Sequence, residues 1–302
     1  AALDKLQAGG STAGGQGIQL AYKVAKENFI REGNNRIILA TDGDFNVGVS
    51  SNADLVRLIE QQREQGVFLT ILGFGGGNYK DSRMEQLSNK GNGNAAYIDN
   101  LLEAKKVLVT EMGGTLLTVA KDVKVQVEFN PAKVKGYRLI GYENRALANQ
   151  DFKDDKKDAG ELGAGHSVTV LYEIIPTDSD ELLPGIDKLK YQNSEITELA
   201  KKSPELLTVK LRYKRPNENK SSLITRALLD STTVLDKTSQ NFQFATSVAE
   251  FGMLLRDSKH KGNASYEAVI QRARKATGDD KEGYRAGFVQ LVRQVQVLKE
   301  AQ

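Results

Sequence analysis

The chain has 302 residues, of which 39% are hydrophobic and 27% charged, with a formal net charge of +3 and no cysteine. This composition suits a globular protein of two domains and excludes disulfides, thiol catalysis and cysteine-type zinc sites. The small charge, with no basic stripe interleaved with aromatics, argues against a nucleic-acid partner, and no apolar run is long enough to read as a transmembrane helix.

The first third alternates helix and strand signals. Ile18, Ala21, Tyr22, Ala25 and Phe29 recur at helical spacing within 16–31. The apolar run Ile37 to Ala40 predicts a buried strand. Asn52 opens a helix to Gln65, with Leu55, Leu58 and Ile59 on one face and Gly66 as its stop. A second strand is predicted at 67–72, a short helix at 82–89, a third strand at 95–98 and a further helix at 101–112. Such alternation predicts an α/β fold: a doubly wound parallel sheet with helices on its faces.

Then the period changes. Segments 123–129, 137–142, 167–174 and 207–213 alternate apolar and polar residues, as half-buried antiparallel strands do. They predict a β-sandwich over about 118–215. Residues 151–165 read as a polar loop, and its Asp154, Asp155 and Asp158 lack the glycine and terminal glutamate of a calcium loop, so a solvated loop is expected. Residues 177–202 read as a long connection, partly helical near 194–201. From Ser239 the helical period returns through Phe242, Ala245, Val248, Ala249, Gly252 and Leu255. Helices at 266–276 and 281–298 follow, separated by Thr277-Gly278-Asp279-Asp280. The expected domains are 1–117, 118–235 and a helical region at 236–302.

Two elements carry chemistry. The strand at Ile37 stops at Thr41-Asp42-Gly43, which delivers the Asp42 carboxylate to a strand's carboxyl end, where open α/β sheets place their ligands. Upstream, the Gly-rich run Gly9 to Gly15 carries Thr12 and opens a helix. A threonine hydroxyl and an aspartate carboxylate are two oxygen ligands for a hard cation. The local alternative is that Thr12 caps the helix and Asp42-Gly43 is only a turn.

These residues resemble the later part of a von Willebrand factor type A domain. That resemblance implies a metal-ion-dependent adhesion site built from an Asp-x-Ser-x-Ser loop, a threonine on a Gly-rich loop and an aspartate at a strand end. Thr12 and Asp42 match the second and third parts. The first part is not in the sequence, so the chain is expected to be a piece that begins inside its first domain. The implied ion is Mg²⁺ or Mn²⁺, bound weakly or not at all by this chain alone, and the implied partner is a protein presenting a carboxylate. The residues after about 115 are similar to the C-terminal extension of uncharacterised bacterial type A proteins. The resemblance therefore implies a non-enzymatic binding module in a bacterial cell envelope or periplasm. Asp44 either contacts metal-bound water or is a solvated loop residue.

The family order leaves the strand at Ile37 with a bare apolar edge. Homodimerisation through that edge is the first expectation, before an element swap or cover by the C-terminal helices. An alternative function, a nucleotide-binding or hydrolytic enzyme, rests on the loop Gly73 to Asn78, with Asp99 ending the next strand. This loop lacks the third glycine of a dinucleotide fingerprint, and the following helix starts late. A scaffold with a vestigial site is the third reading. His166 and His260 are the only histidines and fall in different predicted regions, against a triad or zinc site. Tyr142, Tyr172 and Tyr213 are expected to pack the sandwich.

Overall fold

A computed structural model of the chain describes residues 14–31, 33–42, 52–75, 81–142, 146–157, 159–181, 183, 195–231 and 233–301. The chain divides into two compact units. One comprises Ala1–Val125, Asn149–Ser167 and Leu211–Ile224; the other comprises Gln126–Ala148, Val168–Lys210 and Thr225–Gln302.

The first unit contains the expected parallel sheet, in the order β1-β2-β3, from β1 (Asn35–Thr41), β2 (Val67–Phe74) and β3 (Ala95–Ile98). Ile37 pairs with Leu69, and Ile71 with Ala95. β2 lies in the middle and is buried along nearly its whole length. That burial explains its nearly continuous apolar sequence, broken only by Thr70, since a central parallel strand has helices over both faces. The helices α1 (Gly14–Glu27), α2 (Asn52–Glu64) and α3 (Asp81–Lys90) each bring one apolar face. Ile18 and Tyr22, Leu55 and Ile59, and Met84 and Leu87 are spaced three or four residues apart and join Val67, Leu69 and Ile71 in one core. Burying each large aliphatic side chain here contributes about 1.5–3 kcal/mol. After α3 the chain lies against β2: Leu69 N–H donates to the Gly91 carbonyl and Ile71 N–H to the Asn94 carbonyl, both at 2.9 Å.

The helix expected at 101–112 is broken. α4 (Leu101–Lys105) passes into a π-turn at Lys106–Thr110, and a separate α5 follows at Met112–Leu116. The β-branched Val107, Val109 and Thr110 weaken helix propensity there, and Gly113-Gly114 adds backbone freedom.

The antiparallel region forms two sheets. β4 (Thr118–Phe129), β6 (Gly160–Gly163), β8 (Glu205–Lys214) and β9 (Ser222–Leu229) form a four-stranded sheet in the order β6-β4-β8-β9. β5 (Val134–Ile140) and β7 (Leu171–Pro176) pair antiparallel as a ribbon. Phe129, at the end of β4, meets the ribbon through Tyr137 at 4.4 Å and Tyr172 at 5.3 Å between ring centres. The packing role expected for Tyr172 is observed, and burial with nearby Tyr137 pushes its hydroxyl pKa up. Two strands differ from the expectation: β6 lies inside the segment read as a polar loop, and β9 lies where no strand is predicted.

In the second unit, α6 (Glu198–Lys202) is a single turn capped by Thr197. α7 (Gln240–Leu255), α8 (Tyr266–Lys275) and α9 (Tyr284–Glu300) pack around Phe251, Val269, Ile270, Ala273, Val289 and Val292. Ser239 and Ser265 cap α7 and α8, each hydroxyl accepting a backbone N–H at 3.2 Å. Among the described residues no helix is long and apolar enough to cross a membrane.

Candidate functional site: the carboxyl edge of the parallel sheet

β1 ends at Thr41, which pairs with Gly73 of β2. Asp42 therefore leaves the sheet at its carboxyl edge, and it is exposed. Gly75 follows β2 in the left-handed region, at φ +80, and a Cβ placed on it would sit 3.9 Å from Asp42 Cβ. The residues that follow β1 and β2, Asp42 and Gly75, thus meet at this point. Tyr97 of β3, opposite Gly73, donates its hydroxyl to the Gly75 carbonyl. Beyond β3, Asn100 donates to Asp99 Oδ1 at 2.8 Å, and its own Oδ1 accepts Glu103 N–H at 2.9 Å to cap α4.

Asp42 stands where strand-end reasoning places it. Thr12, Asp44 and residues 76–78 of the Gly73–Asn78 loop lie outside the described residues. Among the described residues no group of three or more His, Cys, Asp or Glu side chains gathers as a metal cage. One carboxylate supplies at most two of the six oxygens that Mg²⁺ prefers, so this donor set alone falls short of the ion. The phosphate reading is weaker. Asp81 occupies the first turn of α3, so a carboxylate stands at the helix end that would otherwise attract an anion. His166 and His260 fall in different units. Tyr97 was missed by sequence reasoning; a tyrosine at a strand end, level with a glycine loop on the next strand, is the signal that points to it.

In the Asp-rich loop Asp154 is exposed, as a solvated loop implies, while the backbone is tied down. Lys124, only 2% exposed, donates to the carbonyls of Asp151 and Asp154 at 3.0 and 2.5 Å. Lys214 donates to Asp122 Oδ2 and to the Asp155 carbonyl, both at 2.6 Å. The loop is clamped because two ammonium groups buried on neighbouring strands need oxygen partners, and its carbonyls provide them. A hydrogen bond from the Ser221 side chain holds the Asp155 carboxyl below its ordinary range.

The opposite, amino end of the sheet is tied as well. Arg36 donates to Thr70 Oγ1 at 2.8 Å and to the Asn92 carbonyl at 3.4 Å, and lies 5.4 Å from the Phe68 ring centre. Asn92 in turn donates to Glu161 Oε1 of β6 at 3.2 Å. Burial lowers the Arg36 pKa, and the Glu161 carboxylate works against that shift.

Comparison with known proteins follows this architecture. Residues 1–109 match the family model of the von Willebrand factor type A domain, and residues 114–298 match the model described as "Uncharacterized protein YfbK, C-terminal". The Escherichia coli (strain K12) protein described as "Uncharacterized protein YfbK" is 44% identical over 97% of this chain, which spans 50% of that relative's length. Among solved structures, a von Willebrand factor type A protein from Catenulispora acidiphila aligns at 18% identity and a TM-score of 0.42, covering 97% of this chain and 65% of its own. The human COPII-coat protein Sec24c aligns at 13% identity and a TM-score of 0.38, covering 86% of this chain and 34% of its own. Likenesses this distant carry no functional weight. The family matches do: the chain belongs to the YfbK family, a von Willebrand factor type A domain followed by the YfbK C-terminal region.

Proposed function

We propose that this chain is a protein-binding module whose contact face is the carboxyl edge of the parallel sheet, with Asp42 at its centre. The observation that carries this reading is the meeting of Asp42 and Gly75 at the ends of adjacent strands, where an open α/β sheet presents its ligands. The type A match supports protein interaction as the class. In this reading a Mg²⁺ or Mn²⁺ ion assists binding, held by the Asp42 carboxylate and the Thr12 hydroxyl, with water and a carboxylate of the partner protein in the remaining positions. The ion supplies positive charge to the interface; the chain supplies the acid and positions it. The module catalyses no reaction and works at a bacterial cell envelope.

The ligand count makes this chain's own metal affinity weak, in the millimolar range typical of under-ligated oxygen sites. Calorimetric titration with MgCl₂ and MnCl₂ tests it. Asp42→Ala abolishes the heat, and an acidic partner peptide restores tighter binding. Heat unchanged by Asp42→Ala removes the site.

The finer partner reading concerns β1. Among the described residues it pairs on one side only, and Ile38 is 42% exposed. A second copy pairing along this flank would complete the backbone ladder. Light scattering combined with amide exchange at Ile37 to Leu39 decides: a stable monomer with fast exchange there refutes the pairing.

A further inference from the structure

β9 breaks the rules by which sheet edges are kept harmless. It is the last strand in the β6-β4-β8-β9 order, and all eight of its residues are exposed. Leu223, Ile224, Leu228 and Leu229 are 49%, 40%, 53% and 59% exposed. Natural edges are usually short, charged, interrupted by proline or covered. Ser222-Leu-Ile-Thr-Arg-Ala-Leu-Leu229 is longer than an average strand, has no proline, and carries one charge, Arg226. Among the described residues, Arg226 donates to the carbonyl of its neighbour Thr225, at 3.3 Å.

Alternation along the strand puts Ile224, Arg226 and Leu228 on one face and Leu223, Thr225, Ala227 and Leu229 on the other. A second copy related by a two-fold axis through the sheet must oppose residues of the same face. The register that sets Ile224 against Leu228 and Leu223 against Leu229 also sets Arg226 against Arg226. Moving the centre to Thr225 or Ala227 sets Arg226 against Ile224 or Leu228. Like charges directly opposite are destabilising, so the strand's own charge disfavours a copy of itself.

We infer that β9 docks an extended segment of another protein as a fifth strand, and that the segment carries Asp or Glu opposite Arg226 with large apolar residues two positions to either side. Main-chain hydrogen bonds supply the attraction and the acid sets the register, as in other strand-addition complexes. This surface is separate from the Asp42 edge and does not depend on a metal.

The test uses two capped peptides on the whole 302-residue chain: Val-Ile-Thr-Glu-Thr-Ile-Val and its counterpart with lysine at the centre. Anisotropy gives affinity, and amide exchange gives the place. The glutamate peptide is expected to bind roughly tenfold more tightly than the lysine peptide, the swing between an opposite-charge and a like-charge cross-strand pair. It slows exchange at alternate amides of 222–229. Arg226→Glu, on an exposed strand and so without cost to the fold, inverts the preference. Absence of binding, equal affinity for both peptides, or protection elsewhere overturns the proposal. A concentration-dependent dimer with 222–229 protected in the absence of peptide overturns it too, and assigns the strand to a second copy.

Discussion

Lys214→Met is the most informative single change in the antiparallel region. The Lys214 side chain keeps 9% of its surface exposed and its partner Asp122 keeps 17%. Asp122 sits in the left-handed region at φ +52, at an irregularity of β4 where its pairing with β6 shifts register between Ala120 and Val123. Its Oδ1 also accepts Ala159 N–H at 3.3 Å. Methionine fills the aliphatic volume but leaves Asp122 a nearly buried carboxylate without its cation, and the Asp155 carbonyl without its donor. Breaking a buried pair from one side costs about 3–5 kcal/mol, and the residual exposure of Asp122 puts this case near about 3 kcal/mol. Adding Asp122→Asn removes the stranded charge, and asparagine tolerates positive φ. The double variant should therefore lose only about 1 kcal/mol, about 2 kcal/mol less than Lys214→Met alone. Lys124→Met, which strands two carbonyls but no carboxylate, should cost less than Lys214→Met, about 1–3 kcal/mol. Urea unfolding followed by tyrosine fluorescence, the chain having no tryptophan, measures all four proteins. A loss under about 1 kcal/mol for Lys214→Met, or equal losses in the single and double variants, refutes the clamp.

Gly93→Ala should destabilise the parallel-sheet unit by about 3 kcal/mol, because a methyl there overlaps the Leu69 carbonyl oxygen and must push the chain off β2; a melting curve matching the parent would contradict it. Ile59→Ala, at a fully buried position, should cost about 2–5 kcal/mol in the same assay. The Asp155 carboxyl, held low chiefly by the Ser221 side chain, contributes stability that is present above its unfolded pKa and lost as pH falls through its folded value. Ser221→Ala should raise that carboxyl's titration midpoint in an NMR titration; an unmoved midpoint assigns the shift to another cause.

What the sequence shows and what it hides follow from where each signal is local. β2 is legible because a strand buried on both faces must be largely apolar, as Val67 to Leu72 is apart from Thr70, whose hydroxyl accepts from Arg36. α7 is legible as a helix from its apolar period and serine cap, but its buried face is not: Phe242, Val248 and Leu255 of the expected stripe are exposed, and Gln243, Ser247 and Phe251 are buried instead. β9 carries no alternation because neither of its faces is buried, so no period-two pattern is imposed on it. β6 is only four residues long, and a methyl on its Gly163 would overlap the Gly114 carbonyl, a close approach that no window around either residue announces. The break after Lys105 is visible only once the β-branched run is weighed against the apolar period. At the candidate site Asp42 is legible, since a strand stop fixes its place. The hydrogen bond from Tyr97 to Gly75 is not, since it spans 22 residues and depends on the parallel register of β2 and β3.

The two ends of the parallel sheet illustrate how one register serves both support and exposure. At the amino end, Arg36, Thr70, Asn92 and Glu161 form a chain of polar contacts from β1 through β2 to β6. Burial there costs the guanidinium hydration, and Glu161 returns part of it by charge. At the carboxyl end the strands finish on Thr41, Phe74 and Ile98, and Tyr97 donates its hydroxyl to the Gly75 carbonyl. Sliding β1 by one residue against β2 would move Asp42 away from Gly75 and, at the other end, draw Arg36 off Thr70. The position of the exposed acid is therefore set by contacts at the far end of its strand, and a partner meeting Asp42 meets a group whose location the fold has already fixed.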